Sequence, residues 1–203
     1  GALLPRNCDE LYLDRLELLQ GTFKAPSVVL DIAPWTFTVC TNLLYTGGVF
    51  LHNGATLRFS TLSDSRTRKD RQSIVTHLPL ELPNLTLSGG ATNTELLYYY
   101  FNNGETGGIT VTDNLVIEPL TGSHKMQIDG DGVELLGGLA VSDGALGGSC
   151  VIKLSGTADQ TYTVAGGKLP IVMVDKAAGV VKPANLTTNL DVSVLRLQQG
   201  EFQ

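Results

Sequence analysis

The sequence predicts an all-β protein folded as an irregular parallel β-solenoid (β-helix), with a β-sandwich or jelly roll as the alternative. Charged residues make up only 17% of the 203 residues, and Gly fills 23 positions. This balance disfavours long helices and favours strands joined by tight turns. Short apolar runs also alternate with polar residues at a period of two, as in Ile152-Lys153-Leu154, which is typical of half-buried strands. Similar strand-turn units recur along the chain at unequal intervals.

The clearest series of these units lies in residues 149–202. Its apolar runs are separated by Gly, Asp, Asn, Ser and Thr, which accept turn geometry or hydrogen-bond their own backbone. Each run is too short for a stable helix and has the length of a strand. The runs occupy residues 151–154, 169–174, 186–194 and 195–197.

The remainder of the chain has the same pattern. Residues 1–10 form an irregular lead-in, and no linker divides the chain, so one elongated domain is predicted over residues 1–203. Residues 60–72 are the most polar stretch and predict an exposed loop, in which a solvated basic cluster at 66–71 is favoured over a phosphate or polyanion site. Strands are predicted at residues 11–19, 28–32, 36–44, 49–52, 56–59, 73–77, 84–87, 95–101, 109–112, 114–118, 125–128, 133–136 and 139–141.

Several segments resemble one another and suggest internal repeats. Residues 16–23 match residues 195–202, residues 82–87 match residues 169–174, and residues 56–60 match residues 151–155. The separations between the matched segments are unequal. We therefore expect a shared structural unit with loops of different length, as in irregular solenoids.

Three of these segments resemble a known family. They read GTFKAPS at residues 21–27, FLHNGATLRF at 50–59, and IKLSGTADQTY at 152–162 followed by LPIVMV at 169–174. They are similar to the β-solenoid repeats of long bacterial surface proteins of the filamentous-haemagglutinin and adhesin kind. The resemblance covers residues 16–60 and 80–203. It implies an exported, elongated scaffold at the cell surface or outside the cell, without catalytic residues.

Charge and hydropathy restrict the partners. The formal net charge of −6 argues against nucleic acid, whose binders carry a basic footprint. The sequence contains no run of apolar residues long enough to predict a membrane-spanning helix. The predicted partners are copies of the chain itself or flanking repeats of the same protein, together with glycans or a host or prey surface.

Candidate sites for chemistry are few. Asp129 and Asp131 alternate with glycines and could wrap Ca²⁺, although a plain turn is the favoured interpretation because no further acidic ligand follows at the required spacing. His52, His77 and His124 show no ligand spacing. A polysaccharide-active β-helix enzyme would need carboxylates and basic groups that converge on one groove, and these residues are scattered in the sequence. We therefore predict no enzyme and no cofactor.

The three cysteines, Cys8, Cys40 and Cys150, are too few and too scattered for a disulfide framework or a zinc site. Cys150 lies in an apolar strand and is predicted to be a buried thiol.

The run Tyr98, Tyr99, Tyr100 and Phe101 is the most aromatic stretch of the chain. In a strand, alternate side chains point to opposite faces, so two of the four are predicted to face outward. Core packing combined with an interface is favoured over carbohydrate binding.

The two ends of the chain predict self-association. An uncapped solenoid exposes strand edges and an apolar stripe at each end, and such edges pair with other strands. We expect the two ends to stack head to tail into a filament, with the same contact inside a longer repeat protein as the alternative. The predicted contact residues are Leu11, Leu13, Leu16, Leu18 and Phe23 at one end, and Leu190, Leu195, Leu197 and Phe202 at the other.

Overall fold

The computed structural model describes residues 2–3, 8–33, 40–60, 69–89, 96–118, 125–185 and 189–203. Their regular structure is entirely β, without a helix in these ranges. All the strand pairs among the described residues are parallel, and each strand pairs with a strand of the coil before it, of the coil after it, or of both. The predicted β-solenoid is therefore confirmed. The β-sandwich and jelly-roll alternative is wrong, because those folds pair their strands antiparallel.

The strands follow one another without long insertions in the described ranges. They are β1 (Ala2–Leu3), β2 (Glu10–Leu13), β3 (Leu16–Leu18), β4 (Thr22–Lys24), β5 (Val29–Ile32), β6 (Cys40–Tyr45), β7 (Val49–Leu51), β8 (Thr56–Phe59), β9 (Lys69–Thr76), β10 (Pro79–Ser88), β11 (Leu96–Asn102), β12 (Gly108–Glu118), β13 (Lys125–Gly130), β14 (Gly132–Leu135), β15 (Gly138–Val141), β16 (Val151–Leu154), β17 (Gln160–Val164), β18 (Leu169–Pro183) and β19 (Val192–Phe202).

Each coil passes over three faces. The first face holds β2, β5 and β8, the second halves of β10 and β12, then β15, β17 and the end of β18. The second face holds β3, β6, β9, β11 and β13. The third face holds β1, β4 and β7, then the first halves of β10 and β12, β14, β16 and the starts of β18 and β19. The longest strands thus bend from the third face into the first.

The first face shows how irregular the coils are. One inward position is filled successively by Leu11, Leu30, Leu57, Leu85, Leu115, Leu139 and Tyr162, which is six turns of the solenoid. The shortest of these turns spans 19 residues, from Leu11 to Leu30, and the longest spans 30, from Leu85 to Leu115. The predicted variation in loop length is confirmed.

The third face carries two inward ladders of aliphatic side chains that extend to the last strand. One runs Leu80, Ile109, Val133, Ile152, Val172, Leu195, and the other runs Leu82, Val111, Leu135, Leu154, Val174, Leu197. Up to β18 no member of either ladder is more than 3% exposed. Because the strands are about 4.8 Å apart, each aliphatic side chain packs directly on the one below it. These ladders form the third-face wall of the core.

The segments that look alike in the sequence lie on different faces. Residues 16–18 belong to the second face, whereas residues 195–197 belong to the third. Residues 56–59 belong to the first face, whereas residues 151–154 belong to the third. Strands on all three faces need the same inward apolar residues and the same turn chemistry at their ends, so local similarity does not report the position in the coil. The similarity of residues 16–23 to residues 195–202 therefore does not place the two ends of the chain at the same position in the coil.

Several predicted boundaries also need correction. The predicted strand at 11–19 is two strands, β2 and β3, with a corner at Asp14 and Arg15. The predicted loop at 60–72 is wrong from Lys69 onward, because β9 begins there. The strand β17 was not predicted at all. Parts of the predictions at 36–44, 60–72 and 186–194 lie outside the described residues, as does His124.

Candidate functional site

The C-terminal end of the solenoid leaves core positions open. Leu195 and Leu197 continue the two third-face ladders, yet they are 39% and 63% exposed. Neighbouring Val194 is also exposed. Among the described strands, β19 pairs only with β18, so the other edge of its backbone has no partner strand. This end is an uncovered cross-section of the core.

The other two residues predicted at this end are less exposed. Leu190 and Phe202 are partly buried against the core. The ring of Phe202 stacks on Tyr162 with 5.6 Å between the ring centroids and 4° between the planes. The last residues of β19 therefore close over the first face, and the open apolar surface is concentrated on the third.

The N-terminal end is better covered than the sequence suggested. Leu16, Leu18 and Phe23 are buried, and Phe23 contacts Phe50 of the next coil. Strand β1 pairs with the edge of β4. Leu11 and Leu13 are only partly buried. In the described part of the chain, β2 and β3 each pair on one side only. This end consequently offers backbone edges and two leucines rather than a bare apolar stripe.

The aromatic run alternates between core and surface. Tyr99 and Phe101 are fully buried, whereas Tyr98 and Tyr100 lie on the outside of the second face and are partly exposed. The hydroxyl of Tyr99 lies 2.8 and 2.7 Å from the carbonyl oxygens of Phe59 and Ser88, and burial raises its pKa well above the usual value. The predicted division of the run into two inward and two outward side chains is confirmed.

The outward tyrosines line a groove of about 530 Å³ with Arg71, Asp129 and Ser149. Arg71 comes from β9 and Asp129 from β13, which lie on either side of β11. The Cζ atom of Arg71 lies 3.9 Å from the centroid of the Tyr100 ring. The sequence placed Arg71 in a solvated loop and Asp129 in a turn, and it gave no sign that the two meet. We call this feature the second-face groove.

Asp129 and Asp131 are held by protein donors. Asp129 Oδ1 accepts hydrogen bonds from the backbone N–H and the hydroxyl of Ser149, at 2.9 and 3.1 Å, and its Oδ2 accepts one from Gln127 at 2.9 Å. Asp131 Oδ2 accepts a hydrogen bond from the Asn103 N–H at 2.7 Å. No group of three metal-ligating side chains occurs among the residues that the structure describes. The candidate Ca²⁺ site at Asp129 and Asp131 therefore has nothing beyond two separately bonded carboxylates to support it.

A second cavity, of about 360 Å³, lies on the outside of the third face where glycines leave space. The cationic group of this cavity is Lys153. Its Nζ atom lies 3.0 Å from Asp175 Oδ2 and 3.5 Å from Glu134 Oε1. These carboxylates raise the pKa of Lys153. Because its charge is already balanced, this cavity offers a ligand little electrostatic attraction.

Cys150 is fully buried, as predicted. Burial, with a contribution from Asp129 and Asp131, raises its pKa to about 12. Cys8 is a free thiol of intermediate exposure, and the side chain of Cys40 lies outside the described part. At neutral pH the Cys150 thiol is therefore protonated and unreactive.

Comparison with known proteins adds no relative. No family model matches the chain, and no curated protein or solved structure matches it significantly. Nor does the described part of the chain contain a helix with the length and apolarity of a membrane span. The fold stands on the geometry described above, and the family resemblance stays a prediction.

Proposed function

We propose that this chain is a non-catalytic structural module of an extracellular β-solenoid fibre, and that copies of it associate end to end. The observation that carries the proposal is the position of Leu195 and Leu197. They occupy inward positions in two ladders whose other members are almost completely buried, yet their own side chains face solvent. A further coil stacked on β19 would cover them as β18 is covered.

The backbone of β19 supports the same proposal. It is an 11-residue edge strand whose charged residues are Arg196 and Glu201. Edge strands that avoid association are usually short or carry lysines, prolines or bulges, whereas β19 is long and its register with β18 shifts only after Leu197. A parallel strand added to β19 would satisfy its free N–H and C=O groups. It would also bury leucine side chains, each contributing up to about 1.5–3 kcal/mol when fully buried.

The occupant we propose is the N-terminal end of a second copy. Strand β2 has a free edge in the described structure, and Leu11 and Leu13 lie partly exposed along it. All strands run in the same direction around the coil, so a head-to-tail copy offers a parallel strand with the correct polarity. Such a contact joins two different surfaces and therefore propagates into a filament rather than closing as a pair.

The resemblance to filamentous-haemagglutinin and adhesin repeats supports the finer assignment. Under it the fibre lies outside the cell or at its surface, where it acts as a scaffold or contributes to adhesion. The low content of charged residues and the continuous pairing between the described coils agree with this role. A location outside the cell stays a prediction, which surface labelling of the producing cells would check.

Sedimentation of the purified chain tests the assembly. We expect the 21.6 kDa protein to form species whose mass keeps rising with concentration. The double variant Leu195→Lys and Leu197→Lys should stay monomeric, because two desolvated ammonium groups at the joint would oppose stacking. Both side chains are solvent-exposed in one isolated copy of the protein, so the circular dichroism spectrum of the double variant should match that of the parent.

The matched control changes two exposed apolar residues on the side of the rod. Val49 and Leu51 are 50% and 44% exposed on β7, and the variant Val49→Lys and Leu51→Lys should assemble like the parent. A parent protein that stays monomeric at high concentration would contradict the proposal. So would a mass that stops at a dimer, because it would indicate a two-fold contact between two C-terminal ends.

The rival function is action on a polysaccharide, for which the second-face groove supplies one carboxylate and one guanidinium group. Asp129 is the carboxylate, and Ser149 and Gln127 already hold it by hydrogen bonds. A non-catalytic module should leave polyuronates and neutral glycans at full chain length after prolonged incubation. Depolymerisation that disappears in Asp129→Asn would overturn the absence of catalysis.

A further inference from the structure

We propose that the second-face groove is a binding site for an acidic saccharide, with Arg71 receiving the sugar carboxylate and Tyr98 and Tyr100 contacting the sugar rings. The groove combines two outward aromatic rings, one cation and a fixed carboxylate within about 530 Å³. This volume falls in the range of small-ligand sites, roughly 300–1,000 Å³.

The shape of the groove follows from the solenoid. Tyr98 and Tyr100 are two residues apart on one strand, so their side chains stand on the same face about 6.7 Å apart along the strand. Arg71 lies on the preceding coil and Asp129 on the following coil. Ser149 comes from the coil after that, where its N–H contacts Asp129. The site is therefore assembled from four successive coils, each of which is fixed by its backbone pairing.

Arg71 is held in place without an ion pair to any carboxylate of the described residues. Its guanidinium group lies over the Tyr100 ring at 3.9 Å, and none of the ion pairs between described residues includes it. Its Nε atom is buried and has no hydrogen-bond partner in the described structure. A guanidinium group binds a carboxylate through two parallel N–H donors. A ligand carboxylate would supply the guanidinium group with a counter-charge.

Asp129 and Ser149 form the polar side of the groove. An ionised carboxylate accepts about four hydrogen bonds, and three of those on Asp129 are already made by Ser149 and Gln127. The carboxylate is therefore fixed in orientation and keeps capacity for one more donor. A sugar hydroxyl supplies such a donor beside a ring face that packs on tyrosine, because Tyr combines an apolar face with a polar tip.

The charge pattern selects an acidic saccharide over the other anions. The formal net charge of −6 repels long polyanions such as nucleic acid, which depend on many cations in a stripe. A single guanidinium group between aromatic rings suits one carboxylate on one sugar. The third-face cavity makes a useful contrast, since Lys153 there is already paired with Asp175 and Glu134.

This site does not depend on the proposed end-to-end assembly. Its residues lie on β9, β11 and β13 and in the turn that contains Ser149, whereas the assembly contact is on β19. The variant Leu195→Lys and Leu197→Lys should therefore bind the saccharide as the parent does. Failure of one proposal leaves the other testable.

The experiment is calorimetric titration with short oligogalacturonate, oligoglucuronate and sialylated oligosaccharides. Fully methyl-esterified oligogalacturonate is the matched neutral probe, since it keeps the sugar rings and loses the charge. We expect the protein to bind at least one acidic probe. Arg71→Gln should weaken that binding by about tenfold or more, a loss of about 1.4 kcal/mol, and the neutral ester should bind correspondingly less well.

Three further variants separate the contributions. Lys24→Gln removes one exposed positive charge on another face and should leave affinity unchanged. Tyr98→Leu should weaken the acidic and the neutral probe by similar factors, because it removes a ring and not a charge. The affinity of Arg71→Lys for the acidic probe should lie between those of the parent and Arg71→Gln, because lysine keeps the positive charge but lacks the two parallel N–H donors. This variant also remains informative if Arg71→Gln misfolds.

Two outcomes would overturn the proposal. The first is no binding of any of the three acidic probes by the folded parent protein. The second is binding that Arg71→Gln and Arg71→Lys leave intact while both variants keep the parent's thermal unfolding temperature. Equal affinity for the ester and the acid would also count against it, since it would remove the role assigned to Arg71.

Discussion

Lys176 is the most unusual single residue of the core. It is 1% exposed, and its Nζ atom donates hydrogen bonds to the carbonyl oxygens of Ser155 and Ala158 at 3.3 and 2.7 Å and to the side chain of Gln160 at 2.8 Å. Burial lowers the pKa of its ammonium group. No carboxylate of the described residues lies within ion-pair distance of it, so this buried cation relies on these three acceptors.

Replacing Lys176 with Met should therefore destabilise the protein although the shape is kept. We expect the free energy of unfolding to fall by about 1–3 kcal/mol, because buried acceptors lose their donor. Lys182→Met is the control, since Lys182 is exposed and pairs with Asp159 at 2.8 Å, and exposed pairs contribute about 0–1 kcal/mol. Denaturant titration measures both variants, and equal losses would contradict the role given to Lys176.

Cys150 predicts a dependence of stability on alkaline pH. Its pKa is raised from 9.0 to about 12, so between these values the unfolded chain loses a proton that the folded chain keeps. The stabilisation is complete below pH 9 and is lost as pH rises toward 12. The free energy of unfolding should consequently fall by about 1.4 kcal/mol per pH unit from this group.

The variant Cys150→Ala should be less stable at neutral pH and should show a shallower fall of stability above pH 9. Cys8→Ala keeps Cys150 and should retain the slope of the parent. Thermal or denaturant unfolding measured from pH 8 to pH 11 compares the three proteins. If the stability of the parent and of Cys150→Ala fell in parallel as pH rises, the folded state would not raise the pKa of this thiol.

At the scale of the elements, the close stacking of the turns between coils predicts that alanine substitutions at two adjacent glycines differ in their cost to stability. A Cβ atom on Gly137 would lie 1.7 Å from the carbonyl oxygen of Asp113 in the previous coil, whereas on Gly138 the nearest atom is a side-chain oxygen of Asn114 at 3.0 Å. The backbone at Asp113 cannot move aside, whereas the side chain of Asn114 can. Gly137→Ala should cost about 1–3 kcal/mol or more, and Gly138→Ala less than about 1 kcal/mol. Denaturant titration of both variants provides the comparison, and a reversed order would show that the coils are spaced differently.

Most of the strands were predictable, because apolar alternation and turn residues are local signals, although β4 and β17 were missed. Their assignment to faces was not, because the three faces use the same signals, and only backbone pairing between coils fixes the phase. The start of β9 was missed for a related reason. Arg71 belongs to its polar outward side, and in the sequence it looks like part of a charged loop. The groove was missed as a consequence, since Arg71, Tyr98 and Asp129 come together only through that pairing.

At the scale of the whole molecule, the two ends of the rod are not equivalent. The N-terminal end has β1 paired with β4 and buries Leu16 and Leu18, whereas the C-terminal end leaves Leu195 and Leu197 open. The sequence predicted apolar residues at both ends, but not which end the chain itself would cover. This asymmetry is what a head-to-tail contact requires, because one end offers apolar side chains and the other offers a strand edge.

The most direct test of this account is electron microscopy of the purified protein over a range of concentrations. We predict unbranched filaments as wide as a single solenoid, which lengthen with concentration and persist at high salt because the joint is apolar. The variant Leu195→Lys and Leu197→Lys should show only single short rods. Isolated rods from the parent at every concentration, or pairs that never extend, would contradict the central claim.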